Sequence, residues 1–208
     1  DVPGLPEVPG LPAEIRDMSV QRTGGSSGSG EPNSISTSMD IENVFVVGMS
    51  HQTGNVAMRE KLAVSEKSWN QWSKNLVEYA RQLNGGRSII TGAAIISTCN
   101  RFEVIFSANK LNGFAARELV FKFLEAQSGL PVDQLKPHLM MLDGDDASWH
   151  LFKVAAGLES LVLGENQILS QVSRCHQLGI APANAENGNV AGSAGKVISR
   201  LLQMTITA

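Results

Sequence analysis

The feature that most limits how this chain can fold is a pair of apolar runs joined by a short polar turn. The incoming run is Ala93-Ala94-Ile95-Ile96, the turn is Ser97-Thr98-Cys99-Asn100-Arg101, and the outgoing run is Phe102-Glu103-Val104-Ile105-Phe106. Apolar or alternating runs of this length, bounded by turn residues, are typical of β-strands. The sequence therefore predicts a β-hairpin with a cysteine in its turn. Side-chain alternation puts Arg101 and Glu103 on the sheet face opposite the aromatic residues.

The segments on either side of the hairpin alternate between strand and helix. Turn and capping residues separate these segments and mark their limits. The predicted elements are a strand at 44–49, a helix at 69–83 after the N-cap Ser65, a helix at 114–124 after Asn112, and a strand at 138–142. The resulting order, βαββαβ, predicts an α+β fold: the ferredoxin-like antiparallel sheet with two helices on one face.

The chain after residue 142 is predicted to be helical. In the first helix of this region Trp149, Phe152 and Ala156 recur at helical spacing and predict a stripe that faces the core. The later predicted segments are a helix at 165–178, a loop at 179–194 and a helix at 197–206.

Composition separates the first 40 residues from the rest of the chain, and the predicted elements divide the rest in two. The first 40 residues are rich in Pro, Gly and Ser and repeat the segment Val-Pro-Gly-Leu-Pro, which predicts disorder. We expect a disordered leader or linker at 1–40, a catalytic α+β domain at 41–157 and a helical extension at 158–208. The last helix has no stop signal before Ala208, so we interpret the chain as cut short there. No apolar run is long enough for a transmembrane helix.

Cys99 is the candidate nucleophile of the hairpin turn. The thiolate is the reactive form of a cysteine, and Arg101 places a positive charge two residues away. A buried structural cysteine is the alternative, and the hairpin alone does not decide between the two. Cys99 and Cys175 are the only cysteines, which favours a reducing compartment over a disulfide scaffold. The net charge of −3 argues against a broadly basic nucleic-acid surface, although not against a local one.

Other polar residues suit a binding site, but on their own they fit ordinary surface roles equally well. His150 needs a placed partner before its titration near neutral pH becomes useful. Gln167 and Gln171 are four residues apart and share a helix face, and Ser160 and Glu165 lie just before or at the start of that helix. Such a row can hold the polar ends of an amino acid, and it is equally typical of a solvated helix face.

Three segments, in matching order and spacing, resemble the glutamyl-tRNA reductase family. The turn is similar to the family's Ser-Thr-Cys-Asn-Arg signature. Residues 48–62 resemble its opening strand and loop, and residues 150–169 resemble its longest motif. The resemblance runs from about residue 43 to residue 177 and again, weakly, over 196–207. It departs from the family pattern at Asn166, where proline or glycine is usual.

The resemblance implies an NADPH-dependent oxidoreductase that converts glutamyl-tRNA(Glu) to glutamate-1-semialdehyde through a cysteine thioester. This is the first step of the five-carbon route to tetrapyrroles, which include porphyrins, haem and chlorophyll. By resemblance, Cys99 is the nucleophile and His150 is a second residue needed for activity. The positions implied to bind substrate are Thr98, Asn100, Arg101, Ser160, Glu165, Asn166, Gln167 and Gln171.

The resemblance also implies parts that this sequence does not contain. Family members continue through a long spinal helix, whose start we expect near residue 208, into an NADPH-binding domain and a dimerisation domain. We therefore expect no cofactor-binding and no metal-binding residues in this chain, which would carry only the thioester half of the reaction. We expect a homodimer at full length, glutamate-1-semialdehyde aminomutase as a candidate downstream partner, and a plastid location, with a bacterial cytoplasm as the alternative.

Two other function classes stay open from the sequence. The first is a non-catalytic fragment of the same family that binds tRNA or a protein partner without turnover. The second is a cysteine-dependent acyltransferase, which would need an acceptor site that the sequence does not reveal. Comparing glutamate release by the chain and by its Cys99→Ser variant separates catalysis from binding.

Overall fold

The computed structural model describes residues 42–161, 164, 166–183 and 191–208. In these ranges the strands are β1 (Glu42–Ser50), β2 (Ile90–Ser97), β3 (Arg101–Asn109) and β4 (Met140–Asp143). The α-helices are α1 (Val56–Leu62), α2 (Trp69–Leu83), α3 (Gly113–Ser128), α4 (Val132–Leu135), α5 (Gly144–Ala155), α6 (Asn166–Ile180) and α7 (Gly195–Thr207). The leader predicted at 1–40 and part of the loop predicted at 179–194 lie outside the described residues.

The four strands form one sheet in the order β2-β3-β1-β4. Every neighbouring pair is antiparallel, and β1 and β3 occupy the centre. This order arises when two βαβ halves interleave, so the predicted ferredoxin-like sheet is confirmed. The register pairs Ser50, the last residue of β1, with Arg101, the first residue of β3. The loop after β1 therefore lies beside the cysteine turn.

Helices α2 and α3 cover the sheet face that carries the aromatic residues of β3. Trp72 of α2 meets Phe102 edge-on with ring centroids 5.6 Å apart, and it meets Phe123 of α3 at 4.8 Å. On the same face Phe45 of β1 stacks on Phe106 of β3 at 5.2 Å. Edge-on and offset ring contacts of this kind add to the stabilisation from burial. The two-helix face that the element order predicts is confirmed.

Helices α5, α6 and α7 pack against the opposite face of the same sheet. Leu151, Val172 and Ile198, one from each of these helices, are fully buried. Because both faces are covered, β3 is buried from Arg101 to Ala108 without alternation. The polar residues that alternate with the aromatic ones on β3 therefore lie in the interior and not in solvent.

The predicted core stripe of α5 is wrong. Trp149 is 67% exposed, Phe152 is half-buried, and Ala156 is exposed just after the helix ends. The buried positions of α5 are Ala147, His150, Leu151, Val154 and Ala155. These positions have regular helical spacing, but a histidine interrupts their apolar pattern, so sequence periodicity favoured the larger aromatic residues instead.

The outer edge of β2 is covered by the segment that precedes α7. The Ala93 N–H donates to the carbonyl oxygen of Ser193 at 2.7 Å. Gly92 makes this approach feasible, because a Cβ at this position would lie 2.2 Å from the carbonyl oxygen of Ala194. This contact covers part of an edge that would otherwise present open backbone groups to other chains.

Candidate active site

The cysteine turn between β2 and β3 is held in shape by the Thr98 side chain. Its Oγ1 accepts hydrogen bonds from the backbone N–H groups of Asn100 and Arg101, both at 3.2 Å. The Thr98 N–H donates to the carbonyl oxygen of Arg101 at 2.8 Å and closes the turn. Side-chain hydroxyls stabilise tight turns in this way. Cys99 is consequently exposed at the tip of a well-defined turn.

The loop after β1 and helix α1 brace the cysteine turn from one side. The His51 N–H donates to the carbonyl oxygen of Asn100 at 2.8 Å. Arg59 of α1 donates from Nε to the carbonyl oxygen of Cys99 at 3.4 Å and from Nη1 to the carbonyl oxygen of Gly54. One guanidinium thus joins two loops through their backbones. Our sequence-based interpretation did not single out Arg59 as a site residue, although Arg59 lies in one of the three matching segments.

A small cavity of about 30 Å³ lies between the turn, the segment after α5 and the first turns of α6. Its wall consists of Thr98, Cys99, Asn100, Arg101, Ser160, Gln167, Ile168 and Gln171. All of these except Ile168 are positions that the sequence proposed for the nucleophile or for substrate binding. Gln167 and Gln171 do share one helix face, and that face lines the cavity beside the cysteine turn instead of lying wholly in solvent. The fold thus brings together groups that are some 70 residues apart in sequence.

A buried cluster of ionisable side chains lies behind this wall, on the polar face of β3. Oε1 of Glu103 accepts hydrogen bonds from Nη1 of Arg101 at 2.7 Å and from Nε2 of His150 at 3.0 Å. The exposed fractions are 2% for Arg101, 1% for Glu103 and 6% for His150. Nη2 of Arg101 donates to the carbonyl oxygen of Glu159 at 2.6 Å. The cluster therefore links β3, α5 and the segment that carries Ser160.

Glu103 carries a negative charge in this cluster. Burial disfavours the charged carboxylate, but the hydrogen bonds and charges of His150 and Arg101 outweigh it and hold the pKa of Glu103 below its ordinary value. An ionised carboxylate can only accept hydrogen bonds, so Nε2 of His150 is the donor in their contact. Within the described residues, no hydrogen-bond partner reaches Oε2 of Glu103.

The structure leaves some predicted site residues apart from the cavity and, besides Arg59, adds one that the sequence missed. His150 is buried against Glu103 and is not among the described residues of the cavity wall. Glu165 lies outside the described residues, and so does the side chain of Asn166, the first residue of α6. Glu103 was the missed residue. Its signal was a charge at a strand position whose face proves to be buried, which only knowledge of the second helical layer could reveal.

The second cysteine, Cys175 of α6, has the opposite environment to Cys99. It is buried, and burial raises the pKa of its thiol to about 12, with the charge of Glu103 acting in the same direction. A thiol in this state is almost entirely protonated at neutral pH and is a poor nucleophile. Of the two cysteines, only Cys99 is suited to attack a large substrate.

Neither a metal-binding cluster nor a membrane-spanning helix is present in the part of the chain that the structure describes. No group of three or more His, Cys, Asp and Glu side chains in this part is arranged to hold a metal ion. None of its helices combines the length and the apolar character needed to cross a membrane.

Residues 47–208 match the family model for the N-terminal domain of glutamyl-tRNA(Glu) reductase. Over 137 residues the chain is 45% identical to a glutamyl-tRNA reductase of Thermosynechococcus vestitus. This alignment covers 66% of this chain and 30% of that protein. Over 165 residues it is 42% identical to the chloroplastic glutamyl-tRNA reductase 1 of Hordeum vulgare. This second alignment covers 79% of this chain and 28% of that protein. A solved structure of a glutamyl-tRNA reductase from Methanopyrus kandleri aligns with a TM-score of 0.48 at 23% identity, over 81% of this chain and 33% of that one. The chain thus spans less than a third of the length of these two curated relatives.

Proposed function

Because the chain belongs to the glutamyl-tRNA reductase family through the N-terminal domain of that family, we propose that Cys99 accepts the glutamyl group of glutamyl-tRNA(Glu). The proposed step transfers the acyl group from the tRNA ester to the thiol. The bond between Sγ and the carbonyl carbon forms, the ester C–O bond breaks, and the thiol proton ends on the ribose hydroxyl of the released tRNA. The resulting thioester accepts hydride more readily than an oxygen ester does, which is the chemical value of a covalent intermediate.

The observation that carries this proposal is the exposed Cys99 thiol at the edge of the cavity between the turn and α6. An ester at the end of a tRNA is bulky, so its acceptor must lie at the surface and be held in a fixed position. The Thr98 hydroxyl and the Arg59 guanidinium hold the backbone on both sides of the thiol. Proximity and fixed orientation of this kind contribute much of the rate in acyl transfer.

We propose that the polar residues of the cavity wall bind the glutamyl group. The amides of Asn100, Gln167 and Gln171 can both donate and accept hydrogen bonds, which suits the two charged ends of an amino acid. Arg101 suits the side-chain carboxylate. Each terminal nitrogen of its guanidinium carries two hydrogens, so one internal hydrogen bond on each does not exhaust its capacity. Ser160 lines the same cavity.

Three further positions in this proposal rest on the family likeness alone. Glu165 and Asn166 precede or begin α6 and fall at family substrate-binding positions. His150 is proposed as a residue needed for activity, and its observed partner is the Glu103 carboxylate.

The reduction of the thioester implies NADPH as the hydride donor in the full-length enzyme. The residues of this chain do not fit that cofactor. No Gly-x-Gly-x-x-Gly segment follows a strand in the sequence, and the described sheet is antiparallel, whereas a dinucleotide fold has a parallel sheet. The proposal for this chain therefore extends to the thioester and no further.

The cellular setting is proposed from the relatives. One relative in Hordeum vulgare and one in Oryza sativa are named as chloroplastic, which supports a plastid location and a role in chlorophyll and haem formation. The cyanobacterial relatives support a bacterial cytoplasm as the alternative location. A homodimer at full length and an aminomutase that takes up the aldehyde are proposed on the family likeness alone.

The proposal is tested by mixing the chain with glutamyl-tRNA that carries radiolabelled glutamate, without NADPH. We expect label to become bound to the wild-type protein and then to be released slowly as free glutamate when water attacks the thioester. Cys99→Ser should bind no label in a thioester, whereas Cys175→Ser is the matched control and should behave like the wild type.

The same assay separates catalysis from binding alone. If the wild type and the Cys99→Ser variant release glutamate at the same rate, Cys99 is not the acceptor. A binding fragment without turnover would then account for the chain, provided that both proteins still retain glutamyl-tRNA on a filter.

A further inference from the structure

We propose that Glu103 is a positioning residue of this site and that His150 affects acyl transfer through Glu103 and Arg101 instead of touching the substrate. The inference rests on the proposed function, because Arg101 belongs to the wall of the same cavity. It assigns a role to a buried carboxylate that the acyl-transfer step itself does not use.

The first support is that both donors converge on one oxygen. Arg101 and His150 both donate to Oε1 of Glu103, at 2.7 and 3.0 Å. All three side chains are almost completely buried, so no solvent replaces a lost contact. A change in the position of His150 therefore shifts the carboxylate on which the Arg101 guanidinium depends.

The second support is the path from this cluster to the cavity. Arg101 is the one member of the cluster among the described residues of the cavity wall. Its other terminal nitrogen donates to the carbonyl oxygen of Glu159, next to Ser160, which also lines the cavity. Arg101 thus ties the cysteine turn to the segment after α5, and Glu103 fixes the guanidinium between them.

The third support is that the cluster is poorly explained by stability alone. A buried carboxylate stabilises a fold only when its hydrogen-bonding capacity is well satisfied. Within the described residues Oε2 of Glu103 has no hydrogen-bond partner, although the carboxylate is charged. A buried polar group left half-satisfied calls for an explanation beyond packing, and positioning of Arg101 supplies one.

The test is a double-substitution cycle on the complete chain with His150→Asn, Glu103→Gln and the pair together. The rate of glutamyl transfer to Cys99 is measured in a single turnover at saturating glutamyl-tRNA, and alkylation of Cys99 by iodoacetamide is measured beside it. Ser107→Ala is the matched control, because Ser107 is a buried polar residue on the same face of β3 that bonds to Thr91 and not to the cavity wall.

We expect each single substitution to slow transfer by about 10- to 100-fold, the usual effect of removing an outer partner of a functional group. The pair should be no slower than the slower single variant, because both residues act on the same guanidinium. Iodoacetamide should alkylate Cys99 at an unchanged rate in all variants, and Ser107→Ala should transfer at the wild-type rate.

Multiplicative effects in the pair would overturn the inference, since His150 would then act on the substrate independently of Glu103. A parallel loss of alkylation would also overturn it, because the fault would lie in the cysteine turn. If Glu103→Gln does not fold, the cycle is run with Glu103→Asp, which keeps the charge and shortens its reach. A wild-type chain that transfers no glutamyl group removes the proposed function and this inference together, whereas transfer with multiplicative effects removes only the inference.

Discussion

At the scale of single residues, the two thiols of the chain differ in their access to solvent. Cys99 is exposed in a turn, whereas burial raises the pKa of the Cys175 thiol to about 12. We expect iodoacetamide at about pH 8 to modify one thiol in the folded chain and two after unfolding in guanidinium chloride. Peptide mapping should place the first modification on Cys99. Modification of Cys175 in the folded chain would show that α6 is not packed on the sheet as described.

Arg59 is the residue whose contribution is least evident from its type and position in the sequence. It donates to the carbonyl oxygens of Cys99 and Gly54, so its loss removes one of the contacts that brace the cysteine turn from outside. We expect Arg59→Ala to slow glutamyl transfer by about tenfold, because a looser turn places the nucleophile less well. It should also lower the free energy of unfolding by about 1–2 kcal/mol, as for half-buried charged hydrogen bonds.

Lys61→Ala provides the comparison for Arg59→Ala. Lys61 is an exposed cation on the same helix. If both substitutions slow transfer equally, the effect comes from general charge attraction for tRNA and not from the hydrogen bonds that Arg59 makes to the cysteine turn.

Glu103 also determines how stability depends on pH. Its pKa is lowered from about 4.5, so its contribution to folding is complete above that pH and is lost as the pH falls towards its folded-state pKa. We expect the free energy of unfolding to fall steeply below about pH 4.5 in the wild type and less steeply in Glu103→Gln. Denaturant unfolding at a series of pH values measures both slopes.

The control for this pH dependence is Glu78, whose carboxylate is exposed. A hydrogen bond from Arg81 lowers the pKa of Glu78 to about 2. Because water screens an exposed pair, Glu78→Gln should change the slope less than Glu103→Gln does. Equal slopes in Glu103→Gln and the wild type would contradict the assigned charge of the buried carboxylate.

At the scale of elements, the order and type of the sheet strands and their two crossover helices follow from the sequence. Turn residues at Asn84-Gly85-Gly86 and Ser128-Gly129 end helices α2 and α3 where periodicity ends, and the apolar runs mark the strands. The buried face of α5 was not predicted correctly from the sequence, because it includes His150 while Trp149 lies exposed beside it. Periodicity counts apolar residues, so it fails where a helix buries a polar group for a specific partner.

The segment before α7 lies very close to the backbone of β2. Gly92 lies on β2, where an added Cβ would meet the carbonyl oxygen of Ala194 at 2.2 Å. We expect Gly92→Ala to lower the free energy of unfolding by about 1–3 kcal/mol, because backbone atoms cannot move aside as a flexible side chain can. Thermal and denaturant unfolding measure this loss. An unchanged stability would mean that residues 193–194 do not cover the edge of β2.

At the scale of the whole molecule, the site exists because two helical layers enclose one sheet. The family resemblance and the helical spacing singled out every residue of the cavity wall except Ile168, but they did not show how those residues meet. They also gave no sign that Arg101 and Glu103 are interior, because that depends on helices α5 to α7 covering the second face. Contacts between groups distant in sequence depend on packing, and no local pattern encodes them.

The most direct test of the account is the mass of the Cys99 peptide after the wild-type chain has reacted with glutamyl-tRNA and been quenched in acid. We predict one added glutamyl group on that peptide, which hydroxylamine removes as it removes thioesters, and none on the Cys175 peptide. A glutamyl group on any other residue, or none on a folded chain that retains glutamyl-tRNA, would contradict the assignment of Cys99 as the acyl acceptor.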